Sequence, residues 1–327
     1  MRRWLLAVLV IAAAGLGAVA VTGSSPLAAA LAAFEGALGS SLALQETMAK
    51  AVPLLWCGLA VAVAFRAGVW NIGAEGQLLV GAAAATAVGL GLPAGPWSLP
   101  ATLLAGGVAG GGWAGIAALL RRLSGVSEVL STILLNLVAV AVVGWAVHGP
   151  LREPGGGLPQ SAALPREAWL WRPFEPGRFH LGCVLVALAA VALAVALHRS
   201  RWGLELRATG DRPEAARACG VPLRRVQTRA LLLSGVLAGL GGAVELAGIT
   251  HRLFERFSPG YGYSGIATAL LGGLEPGGTT LASLLFGAMA AGSGGMQRVA
   301  GVPAVTVLLI QGLVIVALAV RRGDERP

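Results

Sequence analysis

Two clusters of polar residues interrupt a chain otherwise dominated by apolar runs, and their side chains are the ones equipped for chemistry. The first, FRAGVWNIGAEGQLLVGA (65–82), carries Arg66, Asn71, Glu75 and Gln77 between two hydrophobic stretches. The second, SEVLSTILLN (127–136), carries Ser127, Glu128, Ser131, Thr132 and Asn136. Glu128, Thr132 and Asn136 recur every four residues, so a helix aligns them in one stripe, with Ser131 beside it. The amides Asn71, Gln77 and Asn136 donate and accept hydrogen bonds together, which suits a neutral polar solute with mixed edges.

A charge at the bilayer centre costs about 2.5–3.5 kcal/mol. Two readings of these clusters therefore stand. Either they wall a translocation path, with the groups of 65–82 facing a cavity or one another within that cluster, or they sit at the membrane interface. In the second case Ser and Thr satisfy helix carbonyls and Glu128 rests among headgroups. Gly68, Gly73 and Gly76 would let a helix break here and free peptide groups to line a path. Trp70 is an interface anchor or a ring-stacking platform.

The elements that must position these residues follow from composition. The chain has 327 residues, 56% hydrophobic and 12% charged, with mean hydropathy +0.77. A soluble domain carries about 25% charged residues. Continuous apolar runs recur from end to end, predicting an all-α, polytopic integral membrane helix bundle forming a single domain over 1–327. A β-barrel is disfavoured because the runs do not alternate. About ten transmembrane segments are expected: 4–22, 49–66, 72–91, 98–120, 127–148, 181–198, 228–248, 261–274, 279–297 and 302–320. The eighth is short and Gly-rich, hence broken or re-entrant. Residues 27–47 read as an interfacial helix, and the start as a retained first helix or a cleaved signal peptide.

The net charge of +9 sits as arginine blocks between apolar runs, which argues for topology and against a nucleic-acid partner. With the N-terminus inside, 16 basic residues fall inside and 8 outside, so both termini are expected in the cytoplasm. Residues 149–180 then form an extracytoplasmic loop, and 199–229, with 8 Arg against 3 acids, a cytoplasmic one.

Within that inner loop, RATGDRPEAARACGVPLRR (207–225) reads as a short helix delimited at both ends. Asp211 can cap it, Pro213 fits the first turn, and Glu214 can reach back as in a capping box. Gly220 can end it and Pro222 blocks its continuation. Ala215 and Ala216 allow close approach to a groove, so the helix is a docking element or a plain linker held near anionic membrane lipid. No motor is encoded: the only lysine, Lys50, follows Ala49, so no Walker A loop exists. HExxH and GxSxG are absent as well, which leaves no catalytic residue to name. The cysteines Cys57, Cys183 and Cys219 are isolated and the four histidines lack ligand spacing, so no metal and no cofactor is expected.

GVWNIGAEGQLLVGA (68–82), SEVLSTILLNLVA (127–139), GDRPEAARACGV (210–221) and GYGYSGIATALLGGLEPGGTTLASLLFGAM (260–289) together resemble the permease subunits of bacterial ABC importers. The resemblance is to the branched-chain amino acid/ribose/nucleoside group, and N-I-G-x-E-G-Q is most similar to its nucleoside branch, whose members are often described as simple-sugar permeases. It implies an ABC ATPase subunit docked on 207–225 through Asp211, Glu214, Ala215, Ala216 and Gly220. It also implies a paralogous permease partner, an extracytoplasmic solute-binding lipoprotein, and residence in the bacterial inner membrane. Asn71, Glu75, Gln77, Glu128, Ser131, Thr132 and Asn136 become substrate-pathway candidates. The solute is then a nucleoside or related compound, with a pentose or hexose as the alternative. Trp70 and the Ala/Gly-rich spans depart from the family pattern. Two other classes remain: an ion-coupled carrier using Glu75, Glu128 or Glu245, and an intramembrane enzyme.

Overall fold

The computed structural model describes residues 25–303 together with Val19 and Gly312. Eleven α-helices and no strand occur among the described residues. They are α1 (Pro26–Leu38), α2 (Ser41–Arg66), α3 (Ala74–Gly91), α4 (Ser98–Ser124), α5 (Glu128–His148), α6 (Leu181–Arg199), α7 (Arg201–Asp211), α8 (Pro213–Ala218), α9 (Leu223–Glu245), α10 (Tyr261–Leu271) and α11 (Pro276–Ala300). Five are long and apolar enough to cross a membrane: α2, α4, α5, α6, and α9 with the π-helical turn Leu246–Thr250 that prolongs it. The segments expected at 4–22 and 302–320 lie outside the described residues except for Val19, Val302, Pro303 and Gly312. The expected 261–274 span is an 11-residue helix, about 16 Å long and too short to cross. The stretch 27–47 is not one interfacial helix: it breaks at Gly39–Ser40, and its second half is the start of α2.

The chain packs as two units. Of the described residues 25–303, one comprises 25–51, Phe174–Phe179 and 284–303. There Gly36 on α1 meets the backbone of Gly295 on α11, while Glu46 pairs with Lys50 and Arg178 at 3.6 and 3.3 Å.

The other unit comprises Val52–Pro173 and His180–Ser283 and holds both polar clusters. Its centre is a glycine joint of α3, α4 and α9. A Cβ on Gly81 would strike the backbone of Gly239; one on Gly110 would strike Gly235 and Gly239; one on Gly239 would strike Gly106 and Gly110. Apolar burial gains little against lipid tails, so close backbone approach through small residues is what holds such helices together.

The two polar loops lie at opposite ends of α9. Its start follows α7 and α8 directly. Its other end, the π-turn, is clasped by the loop after α5: Leu170 N donates to Ala247 O and Leu164 N to His251 O, both at 2.9 Å. Trp169 stacks on His251 with centroids 3.7 Å apart. Carbonyls at a helix end lack intrahelical partners and carry partial negative charge. Arg172 Nε meets that need by donating to Gly248 O at 3.1 Å.

Burial, reinforced by Arg172 and by His251, pushes His180 down to about 4; burial and Arg172 likewise push His251 down to about 4. An unfolded histidine takes up its proton near 6.5, so the unclasped form binds more protons as pH falls and stability falls with it. The clasp is therefore expected to loosen between about pH 6.5 and pH 4. Hydrogen exchange of residues 160–172 across that range checks this; protection unchanged down to pH 4 would refute it.

Candidate functional site

α2 ends in a Schellman motif: Gly68 N donates to Phe65 O and Val69 N to Ala64 O, both at 3.0 Å, and Gly68 takes φ 71°. The chain then turns back alongside α2 before α3 begins at Ala74. The depth of that start is set by α10, where added Cβ atoms on Gly262 and Gly265 would meet Glu75 and Cys57 respectively. Cys57 lies nine residues before the end of α2. Glu75 thus sits roughly 15 Å back from that end, inside the protein. Residues 67–73 are a re-entrant segment.

The polar clusters are what hold it there. Asn71 Nδ2 donates to Gln77 Oε1 at 3.0 Å and to Ser234 Oγ on α9 at 2.8 Å. Asn71 Oδ1 accepts from Gly73 N at 2.8 Å and from Gln77 Nε2 at 3.1 Å. From α5, Asn136 Oδ1 accepts from Gly76 N at 2.8 Å, while Asn136 Nδ2 donates to Ile72 O at 2.9 Å and to Tyr263 Oη at 3.3 Å. Thr132 Oγ1 accepts from Ile72 N at 3.3 Å and donates to Glu128 O at 2.6 Å. Ser131 returns its hydroxyl to Ser127 O at 3.0 Å. Asn71, Gln77, Ser131, Thr132 and Asn136 are all buried. The structure therefore brings the two clusters together and spends the hydrogen bonds of Asn71 within the protein.

The two glutamates are placed differently. Glu75 lies in the first turn of α3, and its Oε2 accepts from Gly262 N in the first turn of α10 at 2.6 Å. One buried carboxylate thus faces two helix N-termini, where backbone donors and the positive dipole end favour it. Glu128 opens α5 and pairs with Arg121 at 3.5 Å. Arg121 in turn donates to Gln227 Oε1 at 3.1 Å, and Gln227 Nε2 donates to Ala67 O at 3.4 Å. Arg66 pairs with Glu275, which also meets His198 at 3.3 Å.

Ser234, Gly262, Tyr263, Gln227 and Glu275 were not foreseen as site residues. Tyr263, in the Gly-rich short span, carried the nearest thing to a signal. Ser234 sits in an apolar run with none.

In the basic loop, α7 and α8 form an exposed elbow. Asp211 does not cap α8: it is the last residue of α7, and the N-cap position is Arg212, without a side-chain bond. Pro213 drives the preceding residue out of the helical region, so the break falls at Arg212, with φ −144° and ψ 77°. Glu214 and Ala215 are exposed, whereas Ala216 is buried against the protein. Gly220, at φ 82°, ends the helix as expected, with Gly220 N donating to Arg217 O and Val221 N to Ala216 O, both at 3.0 Å.

A bundle in which five helices are long and apolar enough to cross a membrane defines an integral membrane protein. The chain belongs to the family described as branched-chain amino acid transport system / permease component, which matches residues 43–319. It is 39% identical to the glucose ABC transporter permease protein TsgB13 of Haloferax volcanii, covering 97% of this chain and 91% of that one. It is 35% identical to the guanosine ABC transporter permease protein NupP of Bacillus subtilis, covering 96% and 92%. A second guanosine permease of that organism, NupQ, is 26% identical over 76% and 80%. The protein is an ABC permease, a transporter subunit whose ATPase is a separate chain and whose family works as paired permeases.

Proposed function

We propose that this chain forms one half of the translocation path of an ATP-driven nucleoside importer in the bacterial inner membrane. The observation that carries the geometry is the re-entrant segment 67–73, beside which α3 begins at buried residues and Glu75 accepts from Gly262 N in the first turn of the short α10. Interrupted helices of this kind are where membrane transporters form their binding sites. On this reading Asn71, Gln77, Thr132 and Asn136 set the shape of the path wall by fixing that segment, and Ser131, Glu75 and Glu128 lie along it. Greater identity to NupP than to NupQ supports a heterodimer with a second, diverged permease. The excess of arginine in 199–229 supports a cytoplasmic α7–α8 elbow and cytoplasmic termini. The ATPase docks on that elbow, on the exposed face bearing Glu214 and Ala215. A solute-binding lipoprotein meets the 149–180 side, and lipid surrounds the bundle.

A second reading, a glucose or other simple-sugar importer, is favoured by the 39% identity to TsgB13. Guanosine and glucose are both neutral and rich in hydroxyls, so uptake decides between them. Proteoliposomes holding the complete importer should accumulate labelled guanosine with ATP inside the docking compartment, and excess glucose should not compete. Glucose uptake that guanosine fails to reduce would overturn the nucleoside reading.

A further inference from the structure

Resting on the importer reading, we propose that the joint carrying nucleotide-driven movement into this chain is the backbone contact of Gly210, on α7, with the turn Arg66–Gly68. Gly210 lies directly on the carbonyl of Arg66: a Cβ built there would collide with that oxygen and sit 2.9 Å from Arg66 C and 3.2 Å from Gly68 N. Gly68 returns the contact, since its own Cβ would lie 3.5 Å from Gly210 Cα and 3.9 Å from Thr209 O. Thr209 beside it is buried, its hydroxyl donating to Glu205 O at 2.7 Å.

Two properties make this contact a transmitter. It is backbone on backbone, so no rotamer lies between the parts to absorb a displacement; a long side-chain pair such as Arg66–Glu275 can yield by rotating. It also joins the two pieces that matter. On one side α7 leads through the single residue Arg212 to α8, whose exposed face carries Glu214 and Ala215. On the other, Gly68 closes the Schellman turn from which residues 69–73 depart, and Asn71 there is bound to α9 and Ile72 to α5. Gln227, which holds Ala67 O and is itself held by Arg121, tethers the same turn from α9. A push on α8 therefore reaches the re-entrant segment through a backbone contact at Gly210 and the hydrogen bonds beyond it. Gly210 stands next to the last residue of α7, and this close approach leaves no room for a Cβ there.

The test uses the complete importer in proteoliposomes, reading ATP hydrolysis and guanosine uptake on the same preparation. Gly210→Ala and Gly210→Val place a Cβ against a single turn near the end of a short helix with an exposed face, which can lift where the buried three-helix glycine joint cannot. Both are therefore expected to co-purify with the ATPase and to hydrolyse ATP within about twofold of wild type. Uptake per ATP should fall in steps with side-chain volume, at least tenfold for Gly210→Val. Hydrolysis and uptake falling in the same proportion, or an unchanged ratio, would overturn the joint. Should the Gly210 variants fail to assemble, Gln227→Leu decides: it adds no bulk at the contact and frees Ala67 O, so the ratio should fall at least threefold. A preserved ratio there overturns the proposal. Wild-type complex that takes up solute without ATP would sink the importer reading itself, whereas coupled wild type with coupled variants removes the joint alone.

Discussion

Gly239→Val should leave no folded permease in the membrane. Gly239 stands where α9 meets both α3 and α4, and any Cβ there collides with Gly106 and Gly110 backbone. Backbone atoms cannot step aside as a side-chain terminus can, so the helices must separate. Over-packing a well-packed core costs roughly 1–3 kcal/mol when neighbours can adjust. Here they cannot, and separation also exposes the rest of the joint, including Gly81, Gly110 and Gly235. Detergent-extracted variant should elute as aggregate in size-exclusion chromatography. The neighbouring Gly112 faces open space, so Gly112→Ala should elute as wild type does. Monodisperse Gly239→Val would refute the packing argument.

The second large effect is expected at Asn71. Replacement by Leu removes a side chain making four hydrogen bonds, to Gln77 twice, to Gly73 N and to Ser234. Each buried group left without a partner costs about 1–3 kcal/mol, and water reaches this buried position poorly. The re-entrant segment should then lose its fixed course while the outer helices persist. Uptake should drop below a tenth of wild type, with the protein still extractable and helical by circular dichroism. Asn71→Asp keeps the acceptor toward Gly73 N and Gln77 Nε2 but loses both donors, so it should fall between Leu and wild type. If Asn71→Leu transports normally, the segment is not held as described.

The contrast between these two positions explains what could be read in the sequence. The bundle was legible because hydropathy acts locally: α4, α5 and α6 begin and end within a few residues of the expected spans. Gly220 was legible because a left-handed residue before a proline stop is a local signal. Asp211 was misassigned by weighing its capping chemistry alone, when Pro213 fixed the break one residue later. The clusters 65–82 and 127–136 were recognised as polar groups needing partners, but not as partners of each other. Asn71 and Ser234 are 163 residues apart, and Gly76 and Asn136 are 60 apart. Pairings at that separation are set by how helices pack, which residue periodicity does not encode. Glu75 shows the same limit: its cost was visible in the sequence, while its relief by Gly262 N, 187 residues away, was not.

The claim on which the account turns is that the α7–α8 elbow is a cytoplasmic surface gripped by a separate ATPase. Cys219, exposed just past α8, reports on it directly, since Cys57 is buried and Cys183 half-buried. A membrane-impermeant maleimide should label Cys219 in inside-out vesicles stripped of the ATPase, and adding the ATPase subunit should protect it. Labelling from the outer face of intact cells, or labelling that the ATPase leaves unchanged, would contradict it.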